Sequence, residues 1–106
     1  MLMLSGFCKK EKTLKLERTS DEGVDEVCFS RSPITACRRH CMTQTTSQRT
    51  VSFVCLPRFN SEARRLLSKY HSGQTLLTDE ILSIQQLSSS QMTRQIEVAE
   101  QCESNL

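Results

Sequence analysis

Apolar side chains are sparse along this chain and gather in short alternating runs separated by polar stretches. In Thr13-Leu14-Lys15-Leu16-Glu17 the two leucines alternate with polar neighbours, a period of two that predicts a short strand with one wet face. Lys15 suits an edge position, where a charge discourages stray pairing. Ser20-Asp21-Glu22-Gly23 reads as a turn, and Glu26-Val27-Cys28-Phe29 as a second strand closed by Ser32-Pro33. The clearest strand runs from Gln48 to Cys55, with Val51, Phe53 and Cys55 on one face and Thr50, Ser52 and Val54 on the other. Leu56-Pro57 ends it, because proline cannot donate to a central ladder. Thr93 to Val98 alternates again, with Ile96 and Val98 on one face, and Cys102 follows as a tether for the chain end.

Two segments depart from this period. Ala63, Leu66, Leu67 and Tyr70 recur at i, i+3, i+4 and i+7, which predicts a helix over about 62–72, capped by Asn60 or Ser61 and stopped by Gly73. Burying that stripe contributes a few kcal/mol, at about 1.5–3 for each large apolar side chain. In the Ser/Gln-rich stretch from Gln74 to Gln91, Thr78-Asp79-Glu80 can start a short helix carrying Ile81, Leu82 and Ile84. Between Ser32 and Thr50 only Ile34, Ala36 and Met42 are apolar, too few to fix a shape by burial. Covalent links through Cys37 and Cys41 are the expected constraint there.

Length and composition sharpen this. The chain has 106 residues, 37% of them apolar, with Tyr70 and four Phe as its aromatics, so one small domain with a thin core is expected. Residues 1–106 form one cysteine-rich module without internal repeats, its ends 1–11 and 103–106 expected to be disordered. Six cysteines are far denser than in an ordinary cytosolic enzyme and point to a disulfide-stapled, secreted domain. Six cysteines admit about 15 pairings, which sequence alone leaves open. A net charge of +2 is too small for a phosphate-binding field or for polybasic attachment to a membrane, so nucleic acid is not an expected partner. No apolar run approaches the roughly 20 residues of a membrane span. Met1 to Phe7 is apolar but short, lacks a basic segment before it and runs into Cys8-Lys9-Lys10, so no signal peptide is read in this chain. The expectation is a piece of a larger secreted precursor.

Catalytic and metal chemistry find little support. Cys37-Arg38-Arg39-His40-Cys41 would offer zinc the ligands Cys37, His40 and Cys41, with Cys28, Cys55 or His71 as a fourth. Structural zinc sites usually draw on two separated ligand pairs, and only one is present, so disulfides are favoured. A Cys41/His71 nucleophile and base can be written, but nothing places them together or supplies an orienting group. Asp79 and Glu80 suit the first turn of a helix, and Gly6, Gly23 and Gly73 are too isolated to cradle a phosphate. Lys9, Lys10, Lys12, Lys15 and Arg18 are interleaved with Glu11 and Glu17, which favours a solvated, charge-balanced face over a heparin or receptor patch. Arg38-Arg39-His40 and Arg64-Arg65 form a second patch only if the fold joins them. No enzyme activity and no cofactor are expected, and no Asn-x-Ser/Thr sequon is present.

Taken in order, Lys12-Thr-Leu-Lys-Leu-Glu17, Asp25-Glu-Val-Cys-Phe-Ser-Arg-Ser-Pro33, Cys37-x3-Cys41 and Val51-Ser-Phe-Val-Cys-Leu-Pro57 resemble the C-terminal end of the vitellogenins. That end is the tail of a von Willebrand factor type D region and the cysteine-rich segment that closes the chain. The resemblance covers about residues 12–102, with Ser61 to Gly73 matching a short helix, Gly73 to Leu82 a linker and Arg94 to Cys102 a last strand. It implies a disulfide role for Cys28, Cys37, Cys41, Cys55 and Cys102, and least securely for Cys8, whose partner could lie upstream and so leave two bridges and two orphans. The lipid-binding body, the polyserine region and the acidic calcium-binding loop have no counterpart here. For the parent protein the family implies lipid transport and a nutrient reservoir in yolk, with the rest of the lipoprotein chain and a lipoprotein receptor as partners. The expected fold is a small disulfide-rich β-dominated domain with one short α-helix (α+β). The rival readings are an intracellular zinc-stabilised binding module and a stand-alone secreted cysteine-rich ligand or inhibitor.

Overall fold

A computed structural model of the chain describes residues 8–74, 76, 78–85 and 90–104. Among the described residues six strands and two helices follow one another as β1 (Lys9–Lys12), β2 (Lys15–Thr19), β3 (Asp25–Ser30), β4 (Ile34–Cys37), β5 (Cys41–Pro57), α1 (Ser61–His71), α2 (Thr78–Gln85) and β6 (Ser90–Ser104). β2, β3, β5 and β6 form an antiparallel four-stranded sheet in that order, while β1 and β4 pair with each other in a separate two-stranded sheet. The fold is thus β-dominated, as its alternating runs predict, and 52 Å long by 26 Å by 20 Å.

The register follows from the period of two. Leu16 faces Cys28, and Cys28 faces Cys55, so all three lie on one face of the sheet. With Val51 and Phe53 they build one apolar cluster, against which Leu14, Ile34, Met92 and Ile96 pack. The alternate positions Val27, Phe29, Val54 and Leu56 face the other way and meet Ala63 and Leu66 of α1, Leu76, and Ile81 of α2. The helices therefore cover one face of the sheet at the C-terminal end of β5. β2 does stand at an edge, and the turn after it is closed by the Ser20 N–H bonding to the Val24 carbonyl at 2.8 Å and the Gly23 N–H to the Ser20 carbonyl at 2.9 Å. Gly23 takes φ +80°, a conformation side chains resist.

Helix α1 begins where capping chemistry allows. Asn60 accepts the Glu62 amide at 2.8 Å and the Ala63 amide at 3.3 Å, satisfying two of the orphan donors of the first turn. Gly73, at φ +80°, closes the other end by donating its N–H to the Tyr70 carbonyl at 3.1 Å.

Three expectations are corrected. The disordered end 1–11 is ordered from Cys8 onward, because Cys8 is buried and Lys9–Lys12 pairs with β4 from Lys9↔Cys37 to Lys12↔Ile34. At the far end β6 continues through Glu103 to Ser104. The clearest strand is not eight residues but seventeen, from Cys41 to Pro57, and β6 pairs with it from Cys41↔Ser104 to Cys55↔Ser90. Its first half is exposed and held by the ladder itself, with β-branched Thr43, Thr45, Thr46 and Thr50 suited to strand geometry. Side chains also bridge the pair: Thr46 donates to Glu97 at 2.6 Å, Ser47 to Glu100 at 2.5 Å, and Gln44 to Glu103. The register slips around Thr45, which adds local twist. The expectations for residues 1–7 and 105–106, and for the Ile84 side chain, lie outside the described residues.

Two substitutions test this assembly by urea denaturation. Leu66→Asp puts a charge at a site with 0% exposure and should lower stability by about 3–5 kcal/mol. Asn60→Ala removes the cap alone and should cost about 1 kcal/mol.

Candidate functional site

The six cysteines lie on short segments brought together by the ladders. Cys28 and Cys55 are directly opposed on β3 and β5, their Cα atoms 4.0 Å apart, and their bridge is fully buried within the sheet. Cys37, the last residue of β4, reaches Cys102 on β6, which ties the small sheet to the large one at a Cα separation of 5.6 Å. Cys8 precedes β1 and bonds Cys41 at the start of β5, 5.8 Å away. No cysteine is free. The arrangement with an orphaned Cys8 is thereby corrected, because pairing of β1 with β4 carries Cys8 past the turn that leads into Cys41.

These bonds dismantle the zinc set. Cys37 and Cys41 are committed to different partners, and His40 is exposed in the turn between them. Among the described residues no group of three or more His, Cys, Asp or Glu side chains is placed to hold a metal. Cys41 and His71 are not brought together either. His71 closes α1, at the opposite end of β5 from Cys41, and Cys41 holds no thiol. Asp79 and Glu80 do fall in the first turn of α2.

Glu80 has a further role that its sequence position hides. Its carboxylate accepts Lys69 Nζ at 2.7 Å and Arg65 Nη1 at 3.1 Å, joining the two helices. The signal lay in the i, i+4 spacing of Arg65 and Lys69, which presents two cations on one face of α1. Arg65 also pairs with Glu62 at 2.8 Å, and hydrogen bonds to Glu62 and then Glu80 hold its guanidinium further above the usual arginine range.

On β2 the charges meet partners distant in sequence, whereas none of the ion pairs found among the described residues uses a lysine of β1. Arg18 pairs with Glu26 at 2.8 Å and Glu17 with Arg58 at 2.5 Å, while Lys15 lies 5.7 Å over the ring of Tyr70. The two arginine motifs are not joined. Arg38-Arg39-His40 precedes Cys41 at one end of β5, and Arg64-Arg65 lies on α1, docked at its other end.

A cleft of about 710 Å³ opens between the two sheets, with Lys9, Glu11, Arg31, Arg49 and Glu100 among its lining residues. Its opposed charges and open mouth suit contact with a polar protein surface better than enclosure of a small molecule. What the chain offers is therefore a covalently framed, mixed-charge surface.

No family model matches the chain, and no solved structure does. Vitellogenin-1 of Caenorhabditis elegans is 37% identical over 84 residues, covering 71% of this chain and 5% of that protein. Vitellogenin-5 of the same species is 37% identical over 59 residues, or 56% of this chain and 4% of its own length. Vitellogenin-2 of Gallus gallus is 41% identical over 54 residues, 49% of this chain and 3% of its own. The matched part thus spans about a twentieth or less of the curated relatives. Over the part it spans, the chain is homologous to the C-terminal region of the vitellogenins.

Proposed function

We propose that this chain is a non-enzymatic structural and interaction module of a secreted, vitellogenin-like yolk lipoprotein, whose parent transports lipid and serves as a nutrient reservoir. The observation that carries the reading is the conjunction of vitellogenin homology with three bridges that use every cysteine. Such bridges persist in oxidising compartments, which accords with secretion. Homology to the C-terminal region of the vitellogenins supports this reading, on which the chain forms part of the tail of a type D region. Its partners are the rest of the lipoprotein chain, against which the mixed-charge cleft can dock, and a lipoprotein receptor. In this role the bridges substitute for a large core: each contributes on the order of 2–4 kcal/mol, comparable with the whole helix stripe.

The experiment is to supply an export signal, purify the secreted chain and digest it without reductant for mass spectrometry. Linked peptides should report Cys8–Cys41, Cys28–Cys55 and Cys37–Cys102. Six alkylatable thiols in the folded, secreted form would overturn the proposal. In the same protein, Cys28→Ala with Cys55→Ala should lower stability by about 2–5 kcal/mol in urea.

A further inference from the structure

The turn between β4 and β5 is basic, exposed and held on both sides by covalent bonds. Arg38, Arg39 and His40 are all exposed. Cys37 before them is bonded to Cys102, and Cys41 after them to Cys8. Backbone bonds fix the turn further: the Arg38 N–H donates to the Cys8 carbonyl at 2.7 Å, and the Cys41 N–H to the Arg38 carbonyl at 2.9 Å. The arginines therefore start from a fixed backbone, so binding orders only their side chains.

Strand alternation adds to the same end. Lys9 and Glu11 line the cleft between the sheets, whereas Lys10 and Lys12 fall on the other face of β1 and are exposed. The acid of β1 is thus turned away from its two outward lysines. The five ion pairs found among the described residues all use Glu17, Glu26, Glu62 or Glu80, and none of them involves Lys10, Lys12, Arg38 or Arg39. Glu103, beside Met42 in the ladder, is engaged by Gln44. Lys10, Lys12, Arg38 and Arg39 thus bring four exposed cations to β1 and to the turn that follows β4.

We infer that the basic turn with Lys10 and Lys12 is a binding surface for a sulfated polysaccharide. The inference rests on the secreted, oxidised reading above. Arginine forks match the paired oxygens of a sulfate, and Lys10 and Lys12, two residues apart, stand about 7 Å from each other along the strand, a spacing suited to a row of repeated anions. An acidic peptide would need an apolar anchor as well, and of the exposed large apolar side chains among the described residues only Met42 lies at this end. A membrane is the poorer fit, because anionic lipids concentrate in the cytoplasmic leaflet, which a secreted domain does not meet.

The test uses the 106-residue chain after its three disulfides have been mapped, so that failure of the secreted reading is seen before binding is measured. Heparin-derived oligosaccharide is the probe, titrated by calorimetry at several salt concentrations. Binding should weaken as salt rises, and Arg38→Ala with Arg39→Ala should weaken it about tenfold and make the salt dependence shallower. Arg64→Ala, an exposed cation at the other end, should leave it unchanged, and both variants should keep the melting temperature of the parent. Equal affinity for the doubly substituted chain would overturn the inference. So would binding to polyglutamate or to phosphatidylserine vesicles as tight as to heparin.

Discussion

Every other element of this molecule depends on the ladder between β5 and β6. β5 also carries β3, and through it β2, while its alternating residues supply both apolar clusters. A strand of seventeen residues is long for a small domain, and most of its first half is exposed. It persists there because it stays paired with β6 on either side of the slip around Thr45, and because cross-strand side-chain pairs add to the backbone bonds.

Stabilisation is divided along that strand. Toward Pro57 both faces of the sheet carry apolar clusters, one under the helices and the other built on Cys28, Val51, Phe53 and Cys55, so burial of apolar surface does the holding. Toward Cys41 there is little to bury, and the Cys8–Cys41 and Cys37–Cys102 bridges take over. The Cys28–Cys55 bridge lies within the apolar half and packs there as core as well as cross-link. The ion pairs cluster at the helical end, where Glu26 and Glu80 are partly sheltered from solvent and gain more from pairing than surface carboxylates do.

What could be read in the sequence follows the same division. Strands β2 and β3, the apolar half of β5, and helix α1 with its Asn60 cap all announce themselves through buried side chains at period two or 3.6. The polar half of β5 and strands β1 and β4 do not, because their order comes from partners distant in sequence. Thr43 and Cys102 lie opposite one another, yet nothing near Thr43 encodes that. The cysteine pairing was illegible for the same reason: Cys37 and Cys102 are 65 positions apart, and only the fold brings them together. Identity of residue type was enough to assign the cysteines to bridges, but not to choose among pairings.

The bridges also interlock. The segment closed by Cys8 and Cys41 overlaps the one closed by Cys37 and Cys102, the two sharing residues 37–41. Every peptide bond from Cys8 to Cys102 therefore falls inside at least one covalent ring. A protease that cuts once anywhere in that span leaves both pieces joined, and the nicked molecule, heavier by the one water that hydrolysis adds, stays whole until a reductant releases it.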